Sequence, residues 1–237
     1  AVPLWPAALP ATYADFARRQ RAEAATPRLQ ADLHWWCERL KGAPPALALP
    51  TDRPRPAEQR FVGAWVQRSV PRPLADRVAA VARHAQCTPF MVLLAAFKAL
   101  LHRYSGAVDL VIGTPVEGRR EADLEQVVGL FINTLVLRTD LAGDPRFTEL
   151  LPRVRETVLQ AWSHQDLPFD KLVEELAPER SLAHSPLIQV LFVLQSTPFL
   201  EGPEGVFPGL AMSRCDAERT TAKFDLTCEL EEVDGEI

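Results

Sequence analysis

The run PFMVLLAAFKALL, Pro89 to Leu101, constrains the fold more than any other stretch. It is apolar on nearly every side and carries a single charge, Lys98. A helix with one apolar stripe can lie on a surface, but one that is apolar all round has to be enclosed. Thr88 can act as N-cap and Pro89 suits the first helical position. Gly106 can close the last turn. The run is shorter than the roughly 20 residues needed to cross a bilayer. A central helix inside a protein core is therefore expected, and the rest of the chain must supply what covers it.

The covering elements can be read from periodicity. Thr12 to Ala25 starts a helix with Thr12 as N-cap, and Leu29, Leu33, Trp36, Cys37 and Leu40 mark another. Lys41 to Pro56 is an extended, proline-rich connection. Phe61 to Val70 is strand-like, and Leu74, Val78, Val81 and Ala85 mark a further helix. Val108 to Val116 reads as a short buried strand, Glu117 to Glu125 as a charged loop, and Val127 to Leu141 as a returning strand. Asp144 and Pro145 open a helical region with Leu151, Val154, Val158 and Trp162 on one face and Pro152 either in its first turn or kinking it. Phe169, Leu172, Val173 and Leu176 stand at i, i+3, i+4 and i+7 behind Pro168. Leu187 to Ser196 is a continuous apolar run of central-strand type. A Pro/Gly-rich loop follows, and Phe224 to Val233 alternates as a half-buried strand. The expected class is α/β, a mixed sheet flanked by helices.

The end of the chain raises a separate point. Asp234-Gly235 is a strong hairpin signal, yet only Glu236 and Ile237 follow it. The chain is expected to be a piece cut at its last hairpin, leaving its final residues loose or seeking a partner strand.

Composition narrows the function classes. With 26 basic and 31 acidic residues the net charge is −5, which does not make a nucleic-acid footprint. Cys37, Cys87, Cys215 and Cys228 are widely spaced and fit reduced thiols better than a metal site or a disulfide framework. No basic segment precedes an apolar stretch at the N-terminus. A cytoplasmic protein that binds neither membrane nor nucleic acid is expected.

Few stretches suggest chemistry. There is no G-x-G-x-x-G, P-loop, G-x-S-x-G or H-E-x-x-H. GTPVEG, Gly113 to Gly118, lacks the lysine of a phosphate cradle. His84 and His102 fall near helix C-termini, where capping explains them. SHQDLPFDKL, Ser163 to Leu172, sets a histidine two residues from an aspartate in front of an apolar run. Asp166 is too close in sequence to orient His164 in a tight turn, but is well placed to accept backbone N–H groups where the next helix begins. The residues favour a structural corner over a proton-transfer pair.

Several stretches together resemble the condensation domains of non-ribosomal peptide synthetases. YADFARRQ is similar to the family's Y-x-D-Y-A-x-W, with Phe16 and Arg18 departing from it, and it places Tyr13 and Asp15 on motif positions. VGLFINTLVLR, Val128 to Arg138, resembles V-G-x-F-V-N-T-L-x-x-R and places Gly129 there. HQDLPFDKL resembles H-Q-D-x-P-F-E with Asp170 for Glu, which makes His164, Gln165, Asp166, Pro168 and Phe169 structural motif residues. RSLAHSPLIQVLF is a looser match to R-D-x-S-R-N-P-L and includes Pro186. LPTDRPRP, FMVLLAAFKALLHRYSG and IGTPVEGRR add further blocks, so the likeness runs along essentially the whole chain.

The resemblance implies a single chloramphenicol-acetyltransferase-like lobe. Residues 1–60 would form the inter-lobe connection and N-terminal helices, and 61–237 the C-terminal lobe, cut at its last hairpin. The family's catalytic H-H-x-x-x-D-G lies on the other lobe and is absent here, so no residue of this chain is expected to be catalytic and the chain alone is expected to be inactive. The implied reaction joins a carrier-bound donor acyl or peptidyl thioester to a carrier-bound acceptor amine. No cofactor is bound directly; phosphopantetheine arms enter from partner carriers. Implied partners are the N-terminal lobe, upstream and downstream peptidyl carrier proteins, and an adjacent adenylation domain. Asn133 and Arg138 match polar motif positions and are candidates for the substrate tunnel. Alternatively, Asn133 satisfies backbone groups at a bulged strand and Arg138 pairs with a carboxylate. A different function class is also open: a non-catalytic module that recruits carrier proteins or tailoring enzymes.

Overall fold

The computed structural model describes residues 10–119, 121–176, 181–195, 220–233 and 235–237. Cys215, Arg180, Asp234 and the Pro/Gly-rich stretch after residue 196 lie outside the described residues.

Among the described residues four α-helices precede two strands, and two further α-helices precede two more. They are α1 (Tyr13–Glu23), α2 (Pro27–Leu40), α3 (Arg72–His84), α4 (Pro89–Ser105), β1 (Asp109–Val116), β2 (Asn133–Asp140), α5 (Phe147–Ser163), α6 (Phe169–Leu176), β3 (Val190–Gln195) and β4 (Leu226–Glu231). Their starts follow local chemistry. Thr12 and Asp15 form a reciprocal capping box at α1. Thr26 and Thr88 cap α2 and α4, each followed by proline. Gly106 closes α4 in the left-handed conformation at φ 69°, and His102 Nδ1 lies 2.8 Å from the Ala107 carbonyl beyond that end. Pro152 sits inside α5 rather than in its first turn.

The sheet order is β2-β1-β3-β4. β1 and β2 are antiparallel over their full lengths, whereas β1–β3 and β3–β4 are parallel, so the sheet is mixed as expected. Apolar β3 is internal and alternating β4 flanks it on one side. α4 carries seven buried residues, Met91, Val92, Leu94, Ala95, Phe97, Lys98 and Leu101, and packs between α3 and α5. Leu29, Trp36 and Leu40 of α2 join the same core as the sheet, so the N-terminal helices are not packed apart from the rest.

Two expected strands come out differently. Phe61 to Val70 is not a strand among the described residues, and the backbone pairings described for it are at isolated points, Val62 with Thr221 and Val70 with Ile237. Val62 and Val66 there are nearly four-fifths exposed, so no buried face holds a continuous ladder. The strand expected from Val127 begins only at Asn133. Val127 and Phe131 turn instead into a small separate cluster with Leu124, against which Phe16 packs. At the chain's end Val233 and Glu236 exchange backbone hydrogen bonds across the turn at Gly235, φ 80°, and Ile237 pairs with Val70.

Candidate functional site

A cleft of about 530 Å³ opens where α1, the segment before β2, and the corner between α5 and α6 converge. Three motif stretches contribute to it: Tyr13, Asn133, and Gln165, Asp166, Pro168 and Phe169 all line it. Residues more than a hundred positions apart thus share one wall.

Asn133 organises that wall. Its Nδ2 donates to the carbonyls of Gln165 (2.9 Å) and Leu167 (2.8 Å), and its Oδ1 accepts from Phe169 N–H at 2.9 Å. One side chain at the start of β2 therefore ties down the loop and the first N–H of α6. The capping role expected of Asp166 is filled at Phe169 by Asn133, because β2 runs beneath the helix start. Asp166 pairs with Arg28, 2.5 Å from its Nη1.

His164 ends α5 and is oriented by a residue distant in sequence. Its Nδ1 lies 2.6 Å from Asp32 Oδ1, and its ring stacks on Trp35 at 4.1 Å between centroids. Its carbonyl accepts from Trp36 Nε1 at 2.9 Å. Asp32 is 8% exposed, and Arg28 reaches both it and Asp166. The histidine, with Gln165 donating to the Trp162 carbonyl, thus locks the corner onto α2. His164→Ala should lower stability by about 1–2 kcal/mol through the lost hydrogen bond and stacking. Thermal melting of the variant checks it: a melt matching the parent's would show that the pair does not brace this corner.

Tyr13 and Gly129 are matched by close approach. Tyr13 donates its hydroxyl to the Leu130 carbonyl at 3.0 Å, and its ring meets Phe131 edge-on at 5.4 Å. A Cβ on Gly129 would fall 2.2 Å from the Tyr13 ring, so a larger residue there would push the ring away. Asp15 is held at about 2 by hydrogen bonds from Thr12 and by the Arg18 guanidinium. It closes the α1 start rather than facing the cleft.

Arg138 lies on the same strand as Asn133 but does not line the cleft. Its Nε and Nη2 grip Asp109 across the β1–β2 pair at 2.7–3.1 Å, and its Nη1 donates to the carbonyls of Arg39 (3.0 Å) and Lys41 (2.8 Å) at the end of α2. The Asp109 contact raises its pKa further, keeping it charged. It joins the hairpin to α2. Pro186 lines a second cavity beside the cleft, and its carbonyl accepts from Ile188 N–H at 2.7 Å.

Sequence reasoning missed three residues of this architecture. Asp32 had a visible signal: it stands on the same helix face as Leu29 and Trp36, where an acid needs a partner. Asp109 and Arg119 had none. Arg119 Nη1 donates to the carbonyls of Leu124 and Val127, both at 2.6 Å, and its guanidinium covers the Phe131 ring at 4.2 Å. These contacts tie Arg119 to the backbone at Leu124 and Val127. Among the described residues no cluster of His, Cys, Asp and Glu could hold a metal ion, and no single helix is long and apolar enough to cross a membrane.

Comparison with known proteins agrees with this geometry. The family model described as "Condensation domain" matches residues 5–237. A linear gramicidin synthase polypeptide of Brevibacillus parabrevis is 46% identical over 226 residues, covering 94% of this chain but 4% of that protein. A solved complex of the X-domain and OxyB from teicoplanin biosynthesis superposes with a TM-score of 0.86 at 30% identity, covering 97% of this chain and 50% of that one. A four-domain nonribosomal peptide synthetase bound to AMP and glycine superposes with a TM-score of 0.78 at 28% identity, covering 94% of this chain and 18% of the other. The chain spans a small fraction of its curated relative and about half of the X-domain chain.

Proposed function

This chain belongs to the condensation-domain family, and we propose that it is the C-terminal lobe of a nonribosomal peptide synthetase condensation domain. Residues 61–237 would form that lobe, with 1–60 as the inter-lobe connection and N-terminal helices. In this reading the acceptor amine attacks the donor thioester carbonyl. A C–N bond forms, the C–S bond breaks, and the proton lost by the amine ends on the departing phosphopantetheine sulfur, which leaves as the thiol. The N-terminal lobe would carry the histidine motif that moves the proton. This chain would supply one wall of the substrate tunnel and part of the surface that receives upstream and downstream carrier proteins, with an adenylation domain alongside.

The observation that carries the reading is the meeting of two family-like motifs on one cleft wall through Asn133. Asn133 shapes that wall, and Arg138 acts at one remove by holding the hairpin to α2. The Val128–Ile132 segment adds exposed apolar side chains at the cleft edge, with Val128, Leu130 and Ile132 each more than three-fifths exposed. They suit contact with the other lobe.

Reconstituted condensation provides the test. A two-lobed domain carrying this sequence, given loaded donor and acceptor carriers, should yield a dipeptidyl carrier detectable by mass spectrometry. The chain alone should yield none, and product from it alone would overturn the lobe assignment. The second reading, a non-catalytic module that recruits tailoring enzymes, is favoured by the likeness to an X-domain solved in complex with OxyB. A two-lobed form that makes no peptide but retains such an enzyme would support it.

A further inference from the structure

The second cavity, of about 620 Å³, adjoins the cleft, since Thr134 and Phe169 line both. Its volume falls in the range of small-molecule sites. The walls are of a different chemistry from the cleft's. Phe61, Pro186, Ile188 and Phe224 line it together with Phe169, and Ser185, Thr221 and Lys223 are, with Thr134, the polar residues of its lining, whereas the cleft adds Arg19, Glu23, Arg28 and Glu121 to its apolar residues. Ile188 is 2% exposed and makes a rigid floor, and Phe224 packs on the main core. Lys223 is exposed, and its carbonyl accepts from Gln59. Phe169 divides the cavity from the cleft, and its backbone is held by Asn133.

A branched or aromatic side chain entering such walls leaves water with gain. An ionised one loses hydration there, with the exposed Lys223 the single charged group of the lining. Glycine leaves the space unfilled. We propose that this cavity is the subsite for a bulky apolar side chain of a carrier-bound substrate, selecting against glycine and acidic residues. The proposal rests on the condensation reading for the identity of the substrate. The cavity's selectivity can be measured independently.

The chain has four isoleucines, so the Ile188 δ1 methyl can be followed by ¹³C-methyl NMR on the whole 237-residue chain. The probes are L-phenylalaninamide, L-leucinamide, glycinamide, L-glutamic acid α-amide and N-acetyl-L-phenylalaninamide. The phenylalanine and leucine probes should shift that methyl saturably, with at least tenfold higher affinity than the glycine and glutamate probes. Stronger binding of the free amine than of its N-acetyl form assigns the subsite to the acceptor, and the reverse assigns it to the donor. Thr134→Trp, which fills the mouth, and Phe61→Ala, which removes a wall residue that is 54% exposed, should each weaken the phenylalanine probe at least fivefold. Equal affinity for glycinamide, tighter binding of the glutamate probe through Lys223, or an unmoved Ile188 methyl would overturn the proposal. Failure of the condensation reading would appear elsewhere, as a two-lobed domain that forms no peptide while the Ile188 selectivity persists.

Discussion

Lys98→Met should raise stability near neutral pH, and its advantage over the parent should shrink by about 2 kcal/mol between pH 7 and pH 9. Lys98 is fully buried in α4, with Nζ 2.7 Å from the Leu137 carbonyl and 3.5 Å from that of Leu110. Burial pushes its pKa down to about 7, with Asp109 opposing and Arg39 reinforcing the shift. An unfolded lysine keeps its proton up to about pH 10.4. Between these two values the unfolded chain holds one more proton than the folded one, so the parent gains ~1.4 kcal/mol per pH unit from this group as pH rises. Below pH 7 the penalty is fully present. Methionine has no proton to lose and fills a similar volume, at the cost of about 1 kcal/mol for the hydrogen bond to Leu137. Urea denaturation of both proteins across pH 6.5 to 9 is the check. Parallel stability profiles would show that Lys98 titrates alike in the folded and unfolded chains.

Asn133→Ala should cost about 3 kcal/mol, because three neutral hydrogen bonds worth roughly 1 kcal/mol each disappear together. The loss is local in structure: the carbonyls of Gln165 and Leu167 and the N–H of Phe169 all lose their side-chain partner. Hydrogen exchange at the start of α6 should accelerate more than at α4, which shares the main core. Asn133→Asp keeps an acceptor for Phe169 but turns two donors into repulsive contacts with carbonyls, so it should not rescue the wall. A variant with unchanged exchange at Phe169 and Leu172 would show that α6 is held by packing alone. Phe169 borders both cavities, so the same substitution should also blunt the side-chain selectivity at Ile188.

The sequence by itself determined the helices and the enclosed position of α4. Threonine caps, prolines at first turns and 3.6-residue periodicity act within a few neighbours. The apolar run around Lys98 left no surface solution. Strand types were legible as well: continuous apolar β3 became internal, and alternating β4 lay beyond it. Strand limits were less so. Val127 to Ile132 has strand composition, but Gly129 approaches Tyr13 and Phe131 turns into the Leu124 cluster, contacts that only a distant helix supplies.

Pairings were decided by tertiary structure alone. His164 and Asp166, two residues apart, take separate partners: Asp32 from one face of α2 and Arg28 from its first turn. For Asn133 and Arg138 the residues left tunnel and scaffold roles open. The fold places α6 over the start of β2 and the end of α2 beside Arg138, so described backbone groups and Asp109 engage their polar atoms. Hydrogen bonds reach only about 3 Å. Which donor meets which acceptor therefore depends on how helices and sheet are laid against one another, a relation that no local stretch of this chain encodes.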